Sequence, residues 1–212
     1  MIRGTGIDST VKLYLKGNGA NESTKFFDDS QSHKTVTAYG NAQISTTENK
    51  FGGSSLKFDG TGDYLTVTNF LAGLNKYHIG VWLKLNATLT CYRVFGNATG
   101  NYWGMYFLDI GALRYYVGGI YLNWTISGVT VTDWNYYTIT SDGTNIKLYI
   151  NGDSKQSVAS ASTISSETNI AFGRWEDYTF ESYLGYMDEL QIIIGDSVAS
   201  IDLTKVPTRQ RG

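Results

Sequence analysis

The sequence predicts an all-β protein, a two-sheet antiparallel β-sandwich of the jelly-roll kind. Three observations predict it. Tyr, Thr, Val, Ile, Phe and Trp are plentiful, and strong helix formers are scattered without a helical period, a bias that suits pleated, half-buried surfaces. There are 24 Gly and 1 Pro, so Gly, Asn and Asp must make the turns. Period-two strands recur along the whole chain between turn clusters, with no amphipathic helix among them, which argues against a parallel α/β sheet. A chain of 212 residues can bury a sizeable core without disulfides or a metal.

The strands follow in order. Val11-Lys12-Leu13-Tyr14-Leu15 opens the domain and runs into the loop Gly17-Asn18-Gly19-Ala20-Asn21. Short strands are expected around Thr35 to Tyr39 and Ala42 to Ser45. Leu56 and Phe58 alternate with Ser55 and Lys57, and Asp59-Gly60-Thr61-Gly62 turns the chain into Asp63 to Val67. Two strands around a Gly-rich turn are expected to form a β-hairpin. Tyr77 to Leu85 is the strongest central strand, with Ile79, Val81 and Leu83 on one face and His78, Trp82 and Lys84 on the other. Trp82 and Trp134 are expected in the core.

An aromatic meander from Cys91 to Thr125 follows. Trp134 to Thr140 and Asn145 to Asn151 then pair through Asp142-Gly143-Thr144, and Asn151-Gly152 is a strong hairpin signal. Asn169 to Gly173 and the run Tyr183 to Ile194 complete the set. The count of roughly a dozen strands suits a large jelly roll better than an immunoglobulin sandwich. Residues 10–202 form the domain, with an N-terminal arm at 1–9 and a C-terminal tail at 203–212. Such tails either clasp a neighbouring subunit of a homo-oligomer or stay solvated.

Charge and cysteine usage exclude several classes. The net charge is −2 with no basic stripe, so nucleic acid is not an expected partner. No apolar run is long enough to span a bilayer. The lone Cys91 excludes an internal disulfide and a cysteine-based zinc site. Residues 1–6 lack the apolar core of a signal peptide, so an extracellular position is expected to come from export with an assembly or from lysis. The four Asn-x-Ser/Thr sequons, at Asn21, Asn86, Asn97 and Asn123, reflect an Asn- and Thr-rich surface.

Four segments carry a family resemblance: Phe51-Gly52-Gly53-Ser54-Ser55-Leu56-Lys57-Phe58-Asp59-Gly60 with Gly62-Asp63-Tyr64-Leu65; Trp134-Asn135-Tyr136-Tyr137 leading to Asp142-Gly143-Thr144; Leu148-Tyr149-Ile150-Asn151-Gly152; and Gly185-Tyr186-Met187-Asp188-Glu189-Leu190. In this order and spacing they resemble the laminin G-like branch of the concanavalin A-like lectin/glucanase superfamily, most of all the copies in phage and bacterial surface proteins. The opening departs from that pattern, with Asn18-Gly19 in place of Asp-Gly and Asp29-Ser30 after it.

The resemblance implies a concanavalin A-like sandwich that binds glycans. Enzymes of the superfamily are glycoside hydrolases, which need two carboxylates flanking the scissile bond, set along one strand as Glu-x-Asp-x-Glu or Glu-x-Asp-x-x-Glu. Neither spacing occurs: Glu176-Asp177 and Asp188-Glu189 are adjacent, and neighbours on a strand face opposite ways. No Gly-x-Ser-x-Gly elbow or Gly-rich phosphate cradle is present either. The expectation is a binding protein, with no catalytic residues.

Calcium is implied by the resemblance, since relatives hold one structural Ca²⁺ with a last-strand Asp and loop oxygens from the opening segment. By that analogy Asp188, Asn18 and Asp29 are the ligands. By strand parity Asp188 falls on the apolar face of Leu190, Ile192 and Ile194, where a carboxylate must be coordinated or hydrogen-bonded; backbone N–H groups of a turn are the alternative.

Sugar rings stack on aromatic side chains, so Trp103, Tyr106, Tyr115, Tyr116, Tyr121 and Trp124 in the meander are either a glycan platform or core. Arg174-Trp175-Glu176-Asp177-Tyr178 lies in an expected loop, where binding residues concentrate. The nominated ligand-binding set is Trp103, Tyr121, Trp124, Arg174, Trp175 and Tyr178. Two compatible roles follow: a lectin-like carbohydrate-binding module, and a decoration or fibre component of a virion that docks on another protein of the particle. A degenerate hydrolase is the third and weakest.

Overall fold

The computed structural model describes residues 9–86, 92–96, 103–164, 169–174 and 182–208. Its strands are β1 (Val11–Leu15), β2 (Thr37–Tyr39), β3 (Gln43–Ser45), β4 (Ser55–Asp59), β5 (Tyr64–Thr68), β6 (Lys76–Leu85), β7 (Tyr92–Gly96) and β8 (Gly104–Asp109), followed by β9 (Ala112–Val117), β10 (Ile120–Thr125), β11 (Asn135–Asp142), β12 (Asn145–Ile150), β13 (Asp153–Ala159), β14 (Asn169–Phe172) and β15 (Leu184–Ile194). They form two antiparallel sheets. One runs β13-β12-β11-β6-β15-β4-β3 with β1 added to β15; the other runs β10-β9-β8-β7-β14-β5-β2. The expected two-sheet jelly-roll sandwich is therefore the fold.

Period-two alternation drives the packing. Ile79, Val81 and Leu83 of β6, Ile146, Leu148 and Ile150 of β12, and Leu113, Tyr115 and Val117 of β9 all point into one core between the sheets. Large rings fill it: Trp124 stacks on Tyr115 at 6.3 Å, and Phe107 meets Tyr137 edge-on at 5.5 Å. The Tyr115 hydroxyl donates to that of Tyr77 at 2.8 Å, linking the two sheets and satisfying polar atoms that burial would otherwise penalise. The Asn151-Gly152 signal is a true hairpin turn between β12 and β13, with φ of 54° and 83°.

Several expectations need correction. The Asp59–Gly62 turn does not close a hairpin, because β4 pairs with β15 and β3 while β5 pairs with β14 and β2. It is an arch from one sheet to the other. Asp63 holds it, accepting from the Asp59 and Asn41 amides at 2.9 and 2.7 Å. β13 went unread because Asp153 to Ser157 show no apolar alternation; it is an exposed sheet edge. Trp134 is half-buried just before β11, and Trp82, though buried, lies on the outer face of its sheet against Phe51 and Tyr136.

The largest correction concerns Asp188. β15 carries a register shift between Asp188 and Gln191, with Glu189 at a φ of 52°. This is a β-bulge, one extra residue that flips the parity beyond it. Met187, Leu190 and Ile192 therefore all reach the core, and Asp188 does not share their face. Just before it, Gly185 has a φ of 150°, and a Cβ there would collide with the Lys84 carbonyl oxygen. Gly185→Ala is expected to cost about 1–3 kcal/mol, measured as a lower urea midpoint with the slope unchanged.

Candidate functional site

The outer face of the seven-stranded sheet is the candidate site. Alternate residues of β7–β10 project from it, and the register aligns them into rows. Arg93 pairs with Tyr106, Tyr106 with Arg114, and Arg114 with Asn123. Successive contacts lock this row, of which Arg93 and Tyr106 are buried and Arg114 and Asn123 reach solvent. The Arg93 guanidinium sits 4.1 Å from the centre of the Tyr106 ring, Arg114 Nη1 donates to Tyr106 Oη at 3.1 Å, and Arg114 Nε donates to Asn123 Oδ1. At the far edge of the sheet Tyr39 and Tyr64 stack at 4.4 Å, and Arg174 lies 4.2 Å over Tyr64.

Beside this row runs a second one. Tyr121 pairs with Tyr116, Tyr116 with Gly104, Gly104 with Gly96, Gly96 with Ala171 and Ala171 with Thr66. Two tyrosines thus stand at the open end of a row whose glycines, alanine and threonine are buried. Tyr121 is 57% exposed and tilts against Tyr116 at 4.3 Å, with the Arg114 guanidinium 5.0 Å from its ring. No carboxylate occupies an outward position of these rows. Asp109, in the turn after β8, accepts from the Gly111 amide at 2.7 Å.

The nominated residues divide. Tyr121 and Arg174 belong to this face. Trp103, just before β8, and Trp124 of β10 do not: at 0% and 1% exposure both side chains pack in the core between the sheets, so neither is a ligand contact. Trp175 and Tyr178 lie outside the described residues. Arg93, Arg114, Asn123, Tyr39 and Tyr64 were missed. The alternation of Arg114 and Tyr116 with Leu113, Tyr115 and Val117 was the available signal for the first two rows.

A family model described as the concanavalin A-like lectin/glucanases superfamily, of the laminin G type, matches residues 59–194. The chain belongs to this superfamily. No curated protein sequence matches it. Among solved structures it is similar to the receptor-binding domain of botulinum neurotoxin C/D mosaic serotype, with 19% identity and TM-score 0.69, over 93% of this chain and 51% of that one. It is also similar to domain 4 of AbnA, a GH43 extracellular arabinanase from Geobacillus stearothermophilus, in complex with arabinotriose, with 18% identity and TM-score 0.64, over 92% and 98%. A third is botulinum neurotoxin type C, whose cell entry depends on interaction with two ganglioside molecules, with 15% identity and TM-score 0.65, over 91% and 50%. The chain spans about half the length of these toxin domains. At such identities the likeness establishes the fold.

The buried acids of this superfamily member hold its backbone. Asp188 Oδ2 accepts from the amides of Lys50 and Phe51 at 2.8 and 2.9 Å, fastening the loop before β4 to β15. Glu189 accepts from the Tyr14 hydroxyl. The expected calcium set does not assemble. Asn18 and Asp29 line one cavity, but Lys16 lines it too and Asp188 does not. An ammonium beside a single carboxylate and an amide is a poor fit for Ca²⁺, which wants several anionic or carbonyl oxygens. Among the described residues no three His, Cys, Asp or Glu side chains are grouped to hold a metal.

Burial pushes Asp188 up to about 7, against the pull of the two amides, and the Glu189 charge adds to the rise. A folded value above the ordinary 3.8 means the native state holds this proton more tightly. Its contribution is complete below about 3.8 and is lost as pH rises through 7. Asp188→Asn keeps the acceptor for the amides and is expected to flatten that decline, seen as a smaller fall in melting midpoint between pH 4 and 8. For calcium, the melting midpoint is expected to be the same in EDTA and in excess Ca²⁺; a clear upward shift with Ca²⁺ would establish a site.

Proposed function

We propose that the protein is a non-enzymatic carbohydrate-recognition module, reading glycans on the outer face of its seven-stranded sheet and displayed on a virion or another extracellular assembly. The observation that carries this reading is the exposed Tyr121 ring leaning on the half-buried Tyr116 on the open β9–β10 part of the sheet, beside the Arg114–Asn123 pair. A pyranose ring offers one face of C–H groups and a rim of hydroxyls. An exposed tyrosine covers the first, and a guanidinium fork with an amide serves the second.

The botulinum domains and the arabinanase domain share the fold, and the last of these is in complex with arabinotriose, which supports a saccharide as the ligand class. The resemblance to phage and bacterial surface proteins supports display on a particle. A decoration or fibre role without glycan would need the sandwich to dock on a lattice protein instead.

The test is a glycan array on the wild type and on Tyr121→Ala. As an exposed residue, Tyr121 is expected to be removable within about 0.5 kcal/mol of native stability, while glycan binding falls roughly 10-fold or more, in line with about 1–3 kcal/mol for stacking on an aromatic ring. Retained binding in the variant removes this face as the site. An array with no hits at all favours the lattice-docking role.

A further inference from the structure

The opposite outer face carries a second pocket. After β15 a short 3₁₀ turn at Asp196–Ser200 leads into residues 201–208, which lie back across the outside of the eight-stranded sheet. Thr204 reaches the β12–β13 turn, where its carbonyl abuts Gly152. Between this segment and the sheet is a cavity of about 470 Å³, within the range of roughly 300–1,000 Å³ typical of small-molecule sites.

Its floor is polar and fixed. His78, Tyr136, Thr138 and Gln191 project into it from β6, β11 and β15, and all four are at least nine-tenths buried. Gln191 Nε2 donates to the Tyr136 hydroxyl at 2.8 Å. That hydroxyl lies over Gly80, where a Cβ would collide with it, so the glycine makes room for the ring to lie there. The walls are aliphatic: Ile193 from the sheet, Ile201 and Val206 from the covering segment. At the mouth, among the described residues, Asp202 and Lys205 face each other at 3.5 Å.

We propose that this pocket binds one neutral sugar ring, either a free monosaccharide or the terminal unit of a glycan. Hydroxyl and amide groups on the floor suit a ligand with several hydroxyls, and aliphatic walls suit its C–H faces. Among the described residues an anionic or cationic ligand finds no unbalanced carboxylate or ammonium, since Asp202 and Lys205 at the mouth already answer one another. The site is independent of the tyrosine–arginine face, which lies on the other sheet.

The test is an amide and side-chain NMR titration of the full chain with methyl β-glucoside, methyl α-mannoside and N-acetylglucosamine, with glucuronate and glucosamine as charged controls. At least one neutral sugar is expected to bind in the millimolar range and shift Thr138, Ser200 and the Gln191 side chain. Thr138→Val, which swaps a hydroxyl for a methyl of the same shape, should weaken it about 5- to 10-fold, as for loss of one hydrogen bond. Ser200→Tyr, at the exposed rim where folding is not at stake, should block entry. Tyr121→Ala should leave it unchanged. The proposal is overturned if no neutral sugar shifts these residues, if the charged sugars bind as tightly, or if Tyr121→Ala abolishes binding while Thr138→Val does not.

Discussion

One extra residue in the last strand governs much of this molecule. β15 runs through the centre of the eight-stranded sheet, with β6 on one side and first β4, then β1, on the other. Both of its halves must send apolar side chains to the core, yet Met187 and Leu190 are three residues apart, which strict alternation cannot satisfy. The bulge resolves this by placing Glu189 in the left-handed region, at a cost of about 1–2 kcal/mol for a residue with a Cβ. The Tyr14 hydroxyl bond to the Glu189 carboxylate holds the distorted residue in place. The same bulge sends Asp188 outward under the Lys50–Phe51 loop and turns Gln191 and Ile193 outward beneath the C-terminal segment.

The two outer faces differ as a consequence. On the eight-stranded sheet His78, Tyr136, Thr138, Asp188 and Gln191 face outward but are covered by chain, so each is buried. Polar groups in that setting need partners or a ligand, and the contacts among Gln191, Tyr136, Lys50 and Phe51 supply several. On the seven-stranded sheet Arg93, Gly104 and Tyr106 of β7 and β8 are buried as well, and the open part is β9–β10. There Tyr116, Tyr121, Arg114 and Asn123 meet solvent directly. Their order comes from ring and guanidinium contacts within the sheet, so little side-chain freedom remains to be lost when something binds.

Most of the fold was legible in the sequence because its signals are local. Alternation in Tyr77 to Leu85 and in Asn145 to Ile150, and the Asn151-Gly152 turn, each depend on a handful of consecutive residues. What was not legible depends on partners distant along the chain. Whether Asp59–Gly62 makes a hairpin or an arch is decided by β15 and β14, more than a hundred residues later. The bulge at Glu189 leaves no Gly or Pro to mark it, so parity counted along the strand put Asp188 on the wrong face. The aromatics of the meander were ambiguous for a related reason. Trp124 and Tyr121 sit three residues apart in β10 and therefore on opposite faces, but the sequence does not say which face is covered.

The Arg and Tyr rows show how a flat sheet can serve as a recognition surface at all. An isolated arginine on a sheet is a flexible, strongly hydrated group that loses much of its freedom on binding. Arg93 and Arg114 are already held, the first over the Tyr106 ring and the second by Tyr106 and Asn123. Preorganisation of this kind lowers the entropic cost of each contact, but an open sheet face still contacts only one side of its ligand. Affinity at a single shelf is accordingly limited, and the physical route to tight adhesion is repetition. Several copies held on one scaffold convert each further contact into an intramolecular event, and avidity rises by roughly 10²–10⁴ with no new interaction. A rigid sandwich with a weak, preorganised shelf is suited to work in that way.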